Sequence, residues 1–209
     1  MKTAYFDCVA GASGDMILGA LLDAGLPLET LRERLATLNI RDFAITAKTV
    51  MKNGISATHI DVQVSDDAPE RHLADLRAVV EASGLSRSVK DRAVRVFRRI
   101  CEAEAAIHGA RVEDVHLHEV GGVDAIVDVC GALTGLEALG VEHVVVSPLP
   151  LGRGFVKCRP WKIPLPAPAT LALLKGCPVV GSPIDKELVP RPAPRCWWSW
   201  RTASARFRP

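Results

Sequence analysis

The stretch Thr3-Ala-Tyr-Phe-Asp-Cys-Val-Ala-Gly-Ala-Ser-Gly-Asp-Met-Ile-Leu-Gly-Ala-Leu-Leu-Asp-Ala-Gly25 decides the fold class. Residues 3–9 read as a buried strand, Gly11-Ala-Ser-Gly-Asp15 as a turn, and residues 16–24 as an apolar helix stopped by Gly25 and Pro27. Working outward, residues 43–49 and 55–65 alternate as half-buried strands, with Ile60, Val62 and Val64 on one side. Asn53-Gly54 joins them, and both residues tolerate the positive φ of a hairpin turn. Residues 73–81 form a short helix. Residues 86–108 form a longer one with an apolar stripe of Val89, Ala93, Phe97, Ile100, Ala103 and Ile107, and Gly109 ends it. Arg92, Arg95 and Arg99 lie off that stripe. Val115-His-Leu-His-Glu-Val120 alternates like a strand, Gly121-Gly122 breaks it, residues 123–139 are again helical, and Val144-Val-Val146 is a short buried strand.

Eleven of the 14 prolines fall between Pro148 and Pro194, which excludes a mainly helical or central-strand region. Residues 168–174 remain helical, because proline is tolerated in a first turn. The expected fold is therefore α+β: an N-terminal strand–loop–helix unit with a β-hairpin, helices packed on a mixed sheet, and a Pro-rich C-terminal wrapping segment. No internal repeat of about 20–50 residues is present.

Composition narrows the function classes. The chain has 209 residues, 48% hydrophobic and 24% charged, which excludes collagen, coiled coil and wholesale disorder. Its net charge is +2, but residues 190–209 hold five arginines and no acid, leaving −3 on residues 1–189. A slightly negative body, without a Lys/Arg stripe or interleaved aromatics, gives no reason to expect nucleic-acid binding. No run nears the roughly 20 apolar residues that span a bilayer, and the N-terminus has no signal-peptide architecture, so a cytoplasmic chain without a membrane partner is expected. Six scattered cysteines without a C-x-x-C read as buried thiols in a reducing compartment.

Two constellations carry candidate chemistry. The Gly11–Asp15 loop places backbone N–H groups at a helix N-terminus, where partial positive charge favours a phosphate or carboxylate. It lacks the lysine of a Walker A loop and the third glycine of a dinucleotide fingerprint. Asp7 and Asp15 flank it and offer a metal position instead; the plain alternative is a tight turn capped by Ser13 or Asp15. In the second constellation, His116 and His118 share one face of an extended segment, and Asp124 and Asp128, four apart on a helix, share another. Imidazoles and carboxylates so placed suit nickel, zinc, copper or iron, with His108 a further candidate. The alternative is an exposed H-x-H strand and a solvated helix face. His59, His72 and His143 are isolated. Cys8 is either a nucleophile, a soft ligand or a buried structural thiol.

Taken in order, Tyr5-Phe-Asp-Cys8, Gly11-Ala-Ser-Gly-Asp-Met16, Leu18-Gly-Ala-Leu-Leu-Asp-Ala-Gly25, Ala103-Glu-Ala-Ala-Ile-His-Gly109, Val115-His-Leu-His-Glu-Val-Gly121, Asp124-Ala-Ile-Val-Asp128 and Pro164-Leu-Pro-Ala-Pro-Ala-Thr170 resemble the N-terminal region of the LarC family. The resemblance spans residues 3–189, which it marks as one N-terminal domain. It implies CTP-dependent nickel insertion into pyridinium bis-thiocarboxylate mononucleotide, forming the nickel-pincer cofactor of lactate racemase. On that basis His116, His118, Glu119, Asp124 and Asp128 become the nickel-handling candidates. Asp7, Gly11, Ser13, Gly14 and Asp15 become the candidates for holding a phosphate of the precursor or nucleotide. The resemblance further implies a divalent metal with the CTP, the family's C-terminal half as a partner, lactate racemase as a possible one, and a homo-oligomer. The alternatives are a nickel-binding or scaffold subunit without catalysis, or an inactive truncated product.

Two departures from the family pattern stand out. Pro160-Trp161 replaces His-Gly, and Pro190-Arg-Pro-Ala-Pro-Arg-Cys-Trp-Trp-Ser-Trp-Arg201 replaces Thr-Pro-Thr-Gly and an apolar helix. Cys196-Trp-Trp-Ser-Trp200 written TGC TGG TGG AGC TGG reads, two bases on, as Leu-Val-Glu-Leu, and CCA TGG for Pro160-Trp161 contains CAT GG, the start of His-Gly. Residues 190–209 are thus expected to be an out-of-frame, disordered tail, with a compensated excursion at 160–161. The competing reading is a genuine arginine-rich interaction tail.

Overall fold

The computed structural model describes residues 1–40, 43–64, 71–115, 117, 122–158, 161–190 and 206–207. Its chain order is β1 (Thr3–Phe6), α1 (Gly14–Asp23), α2 (Leu28–Ala36), β2 (Phe43–Lys52), β3 (Ile55–Val64), α3 (Leu73–Ala82) and α4 (Arg87–His108). There follow α5 (Val123–Ala138), β4 (His143–Val146), β5 (Leu149–Leu151), β6 (Gly154–Cys158), β7 (Trp161–Leu165), α6 (Pro168–Leu174), β8 (Val179–Gly181) and β9 (Arg206–Phe207). The class is α+β. Parallel and antiparallel pairing occur in separate small sheets: β1-β4-β9 and β5-β8 are parallel, β2-β3 and β6-β7 antiparallel.

Helix α5 is the hub. Twelve of its 16 residues are buried, so it is covered on every side, as an apolar helix without a polar face must be. Helix α1 lies along it in the same direction. Leu18 sits on Gly131, and Leu21 on Gly135; Leu31 and Leu35 of α2 close over Gly131 as well. The glycines let the helix axes approach closely, and Leu18, Leu31 and Leu35 are fully buried in the seam. On its other side α1 presses Gly19 against the Thr58 carbonyl of β3, so the long hairpin covers the back of this helix pair.

Local signals explain most boundaries. Asn53 and Gly54 take φ of 52° and 79° and turn the hairpin. Ser86 accepts a hydrogen bond from Val89 N at the start of α4, and Gly109 at φ 62° ends it. The predicted stripe of α4 needs one correction: Ile107 is 41% exposed, while Glu104 is buried beside it, because the last turn of α4 runs out past the core. Helix α2 was not expected, since Pro27 reads as a stop. It is instead the residue immediately before the helix, a position that needs no N–H.

The proline-rich region wraps as expected, adding two short ladders. Beyond β8 the chain returns to the N-terminal loop: Arg153 N donates to Ile184 O at 3.1 Å, Ala12 N donates to Leu188 O at 2.9 Å, and Val189 enters the core. Of residues 191–209, those described are Arg206 and Phe207, which pair with Val145 and Val146. Among the described residues no helix is long and apolar enough to cross a membrane.

Candidate functional site

Parallel strands and parallel helices bring four chain segments to one end of the molecule. β1 and β4 run side by side, so Asp7 and Cys8 follow one strand end and Ser147 the other. The Ser147 amide donates to Phe6 O at 3.0 Å, and Cys8 N donates to Ser147 Oγ at 2.8 Å, locking the two exits together. Helices α1 and α5 both begin at this end. The seam contacts prove the direction: positions 14, 18 and 21 of α1 meet positions 128, 131 and 135 of α5. Two helix N-termini, each with its partial positive charge, therefore converge beside the carboxyl ends of two parallel strands, where open α/β folds place ligands.

What fills this end is negative. Asp128 lies directly on Gly14, and a methyl group at Gly14 would overlap the Asp128 carboxyl group. Burial, first, and the nearby charges of Asp15 and Asp124, second, push the Asp128 carboxyl up to about 7 from its ordinary 3.8. Near neutrality it is thus shared between its protonated and ionised forms. Ser13 occupies the N-cap position of α1, yet its hydroxyl does not cap the helix; it donates to Asp15 Oδ1. Asp124, in the first turn of α5, is exposed.

The loop before α1 is built by close approach. Gly11 has φ 103°, in the left-handed region, and a side chain there would run into the Leu188 carbonyl. Its amide donates to Cys8 O at 2.9 Å. Cys8 is buried, and desolvation pushes its thiol up to about 11 despite the Ser147 hydrogen bond, with Asp7 adding to the rise. Enclosed in this way, the thiol has the environment of a buried structural cysteine. Cys101 and Cys130 are likewise buried, and neither is in a disulfide.

The expected site residues thus divide. Gly11, Ser13, Gly14, Asp15 and Asp128 come together, with Asp7 on the adjoining turn and Asp124 one helical turn from Asp128. His116, His118 and Glu119 lie outside the described residues. Between them, Leu117 is buried and bridges to Arg71. His108 is exposed at the far end of α4, 3.6 Å from Glu104. Among the described residues, no three His, Cys, Asp or Glu side chains are placed to grip one ion. Sequence reasoning missed Ser147 and Leu188, each of which acts through a contact across more than a hundred residues that no local pattern marks.

The family model described as nickel insertion protein matches residues 4–192. The chain belongs to the nickel insertion protein family. This is the family that the seven ordered motifs resemble. A relative in Geotalea daltonii is 49% identical over 184 residues, covering 87% of this chain and 47% of its own length. A pyridinium-3,5-bisthiocarboxylic acid mononucleotide nickel insertion protein of Desulfitobacterium hafniense strain Y51 is 45% identical over 192 residues, 92% of this chain and 48% of its own. The same-named protein of strain DSM 10664 / DCB-2 is 46% identical over 188 residues, 90% and 47%. The chain spans about half the length of the curated relatives it matches. No solved structure matches it.

Proposed function

We propose that this chain supplies the nickel-handling half of a metal-insertion enzyme that converts pyridinium bis-thiocarboxylate mononucleotide into its nickel-pincer form. The observation that carries the reading is Asp128, a carboxyl group in the second turn of α5, packed against the N-terminus of α1 and titrating near neutrality. Inserting nickel(II) replaces a ring C–H by C–Ni and releases one proton, while two thiocarboxylate sulfurs join the metal. The site must therefore manage a divalent cation and a proton together. A carboxyl group poised near 7 exchanges one for the other at working pH.

In this reading Asp124 and Asp128, with His116, His118 and Glu119, form the nickel side. Asp7, Gly11, Ser13, Gly14 and Asp15 form the side facing the precursor, where N–H groups of the α1 terminus meet an anionic group once a cation has offset the carboxylates. CTP, with its divalent metal, acts with the segment that the longer relatives possess. Lactate racemase is the consumer of the product, in a cytoplasmic, homo-oligomeric setting. Residues 190–209 are read as out of frame; the family match ends at residue 192, where the composition changes.

The reading is tested by mixing the chain with the C-terminal half of a relative, precursor, nickel and CTP, and following the product by mass. Product that is lost with Asp128→Asn supports it. Nickel binding without product in any mixture favours the scaffold reading, which the half-length match makes the specific competitor.

A further inference from the structure

We propose that the groove between α3 and α4 binds an extended oligophosphate, at a place separate from the Asp128 site. Five cations line it, Arg77, Arg87, Lys90, Arg95 and Arg98, against Glu81 and Asp91. The two acids are already engaged: Glu81 pairs with Arg77 at 2.7 Å, and Asp91 with Arg87 at 3.1 Å. Lys90 Nζ donates to the Glu81 carbonyl at 2.9 Å. Arg95 and Arg98 pair with no acid among the described residues.

Folding concentrates this charge. Residues 1–189 carry −3, yet the seven ionised side chains of the groove sum to +3. The even composition expected of the sequence hides the basic face, because its members recur at positions 87, 90, 95 and 98 of one helix and are joined by Arg77 from another. The arrangement also works against the helix. The first turn of α4 has no acid, and Arg87 and Lys90 stand at its positive end. Arg95, moreover, lowers the pKa of neighbouring Arg92 by repulsion, after burial. A surface shaped for stability alone would alternate signs here. An anion in the groove would relieve each of these costs together.

The shape selects among anions. From Arg87 to Arg98 the cations extend along about 16 Å of helix, at 1.5 Å per residue, which exceeds the reach of one phosphate. The lining contains no aromatic residue on which bases could stack, and Val94 is its one apolar member, so the groove suits a small oligophosphate rather than a nucleic acid. Its Arg87 end is also remote from Asp128. Ser86, before α4, bonds Glu137 at the C-terminal end of α5, the opposite end from Asp124 and Asp128.

The experiment is calorimetric titration of the 209-residue chain with tripolyphosphate at low and high sodium chloride, for the native sequence and for Arg95→Ala/Arg98→Ala. Saturable binding that weakens with salt is expected, and it should fall about tenfold or more in the double variant, as loss of charge-assisted hydrogen bonds requires. The ligand-free thermal midpoint of that variant should be unchanged or higher, since it removes repulsion. Absence of binding at millimolar tripolyphosphate, equal affinity in a folded double variant, or binding of single-stranded oligonucleotide alone would overturn the proposal. If the double variant does not fold, Arg95→Lys/Arg98→Lys replaces it: retained but weaker binding supports the proposal, and unchanged binding opposes it.

Discussion

The α1–α5 seam has two ends built from the same spacing and filled with opposite chemistry. At Gly131 and Gly135 the gap is occupied by leucine side chains, and the result is ordinary close-packed core. At Gly14, one step further along the same rows, the gap is occupied by the Asp128 carboxyl group. Close approach is therefore not itself the functional feature. It becomes one where the packed group is ionisable, because the helix contact that shapes an apolar core elsewhere here strips water from a carboxylate and crowds it against two others.

The apolar end should respond most strongly to mutation. Leu18→Ala would empty the space over Gly131 and is expected to lower unfolding free energy by about 2–5 kcal/mol, measured by chemical denaturation. Gly14→Ala would force the Asp128 side chain aside at a cost of about 1–3 kcal/mol, and Asp128→Ala in the same chain should return part of it, the rest persisting because the Cβ at 128 also stands in that space. An additive double mutant would break the comparison, since it would mean that Gly14 and Asp128 do not share one space.

At the polar end the sign reverses. The Asp128 pKa is raised in the folded state, so its proton stabilises the fold below pH about 4, and that contribution is lost as pH rises through about 7. Asp128→Asn keeps the shape without the charge. It should therefore be more stable than the native chain at pH 8, by about 1–3 kcal/mol, with the difference vanishing near pH 4. The smallest effect belongs to Ser13. Because its hydroxyl bonds Asp15 and caps nothing, Ser13→Ala should cost less than the roughly 1 kcal/mol of a true N-cap.

What was legible in the sequence follows the same division. The hairpin at Asn53-Gly54 and the ends of α4 at Ser86 and Gly109 were readable because each depends on the conformational preferences of its own residues. Helix α2 was not, as Pro27 marks a stop and a start equally well. The site was half legible. Asp124 and Asp128 declared themselves as a helix face, and the glycine loop as a helix entry, but nothing local announced that residues 14 and 128 would touch. Nor could the loop's glycines be assigned: Gly11 makes room for a carbonyl and Gly14 for a carboxylate, and both look like a phosphate cradle in one dimension.

The most direct test of the account is nickel(II) titration of the native chain and Asp128→Asn between pH 5.5 and 8. If nickel displaces the Asp128 proton, native affinity should fall as pH drops through about 7 and continue to fall through the imidazole range near 6.5, while the variant binds more weakly and loses the first part of that dependence. Equal affinity in the two proteins, or a native response that is flat across this range, would contradict it.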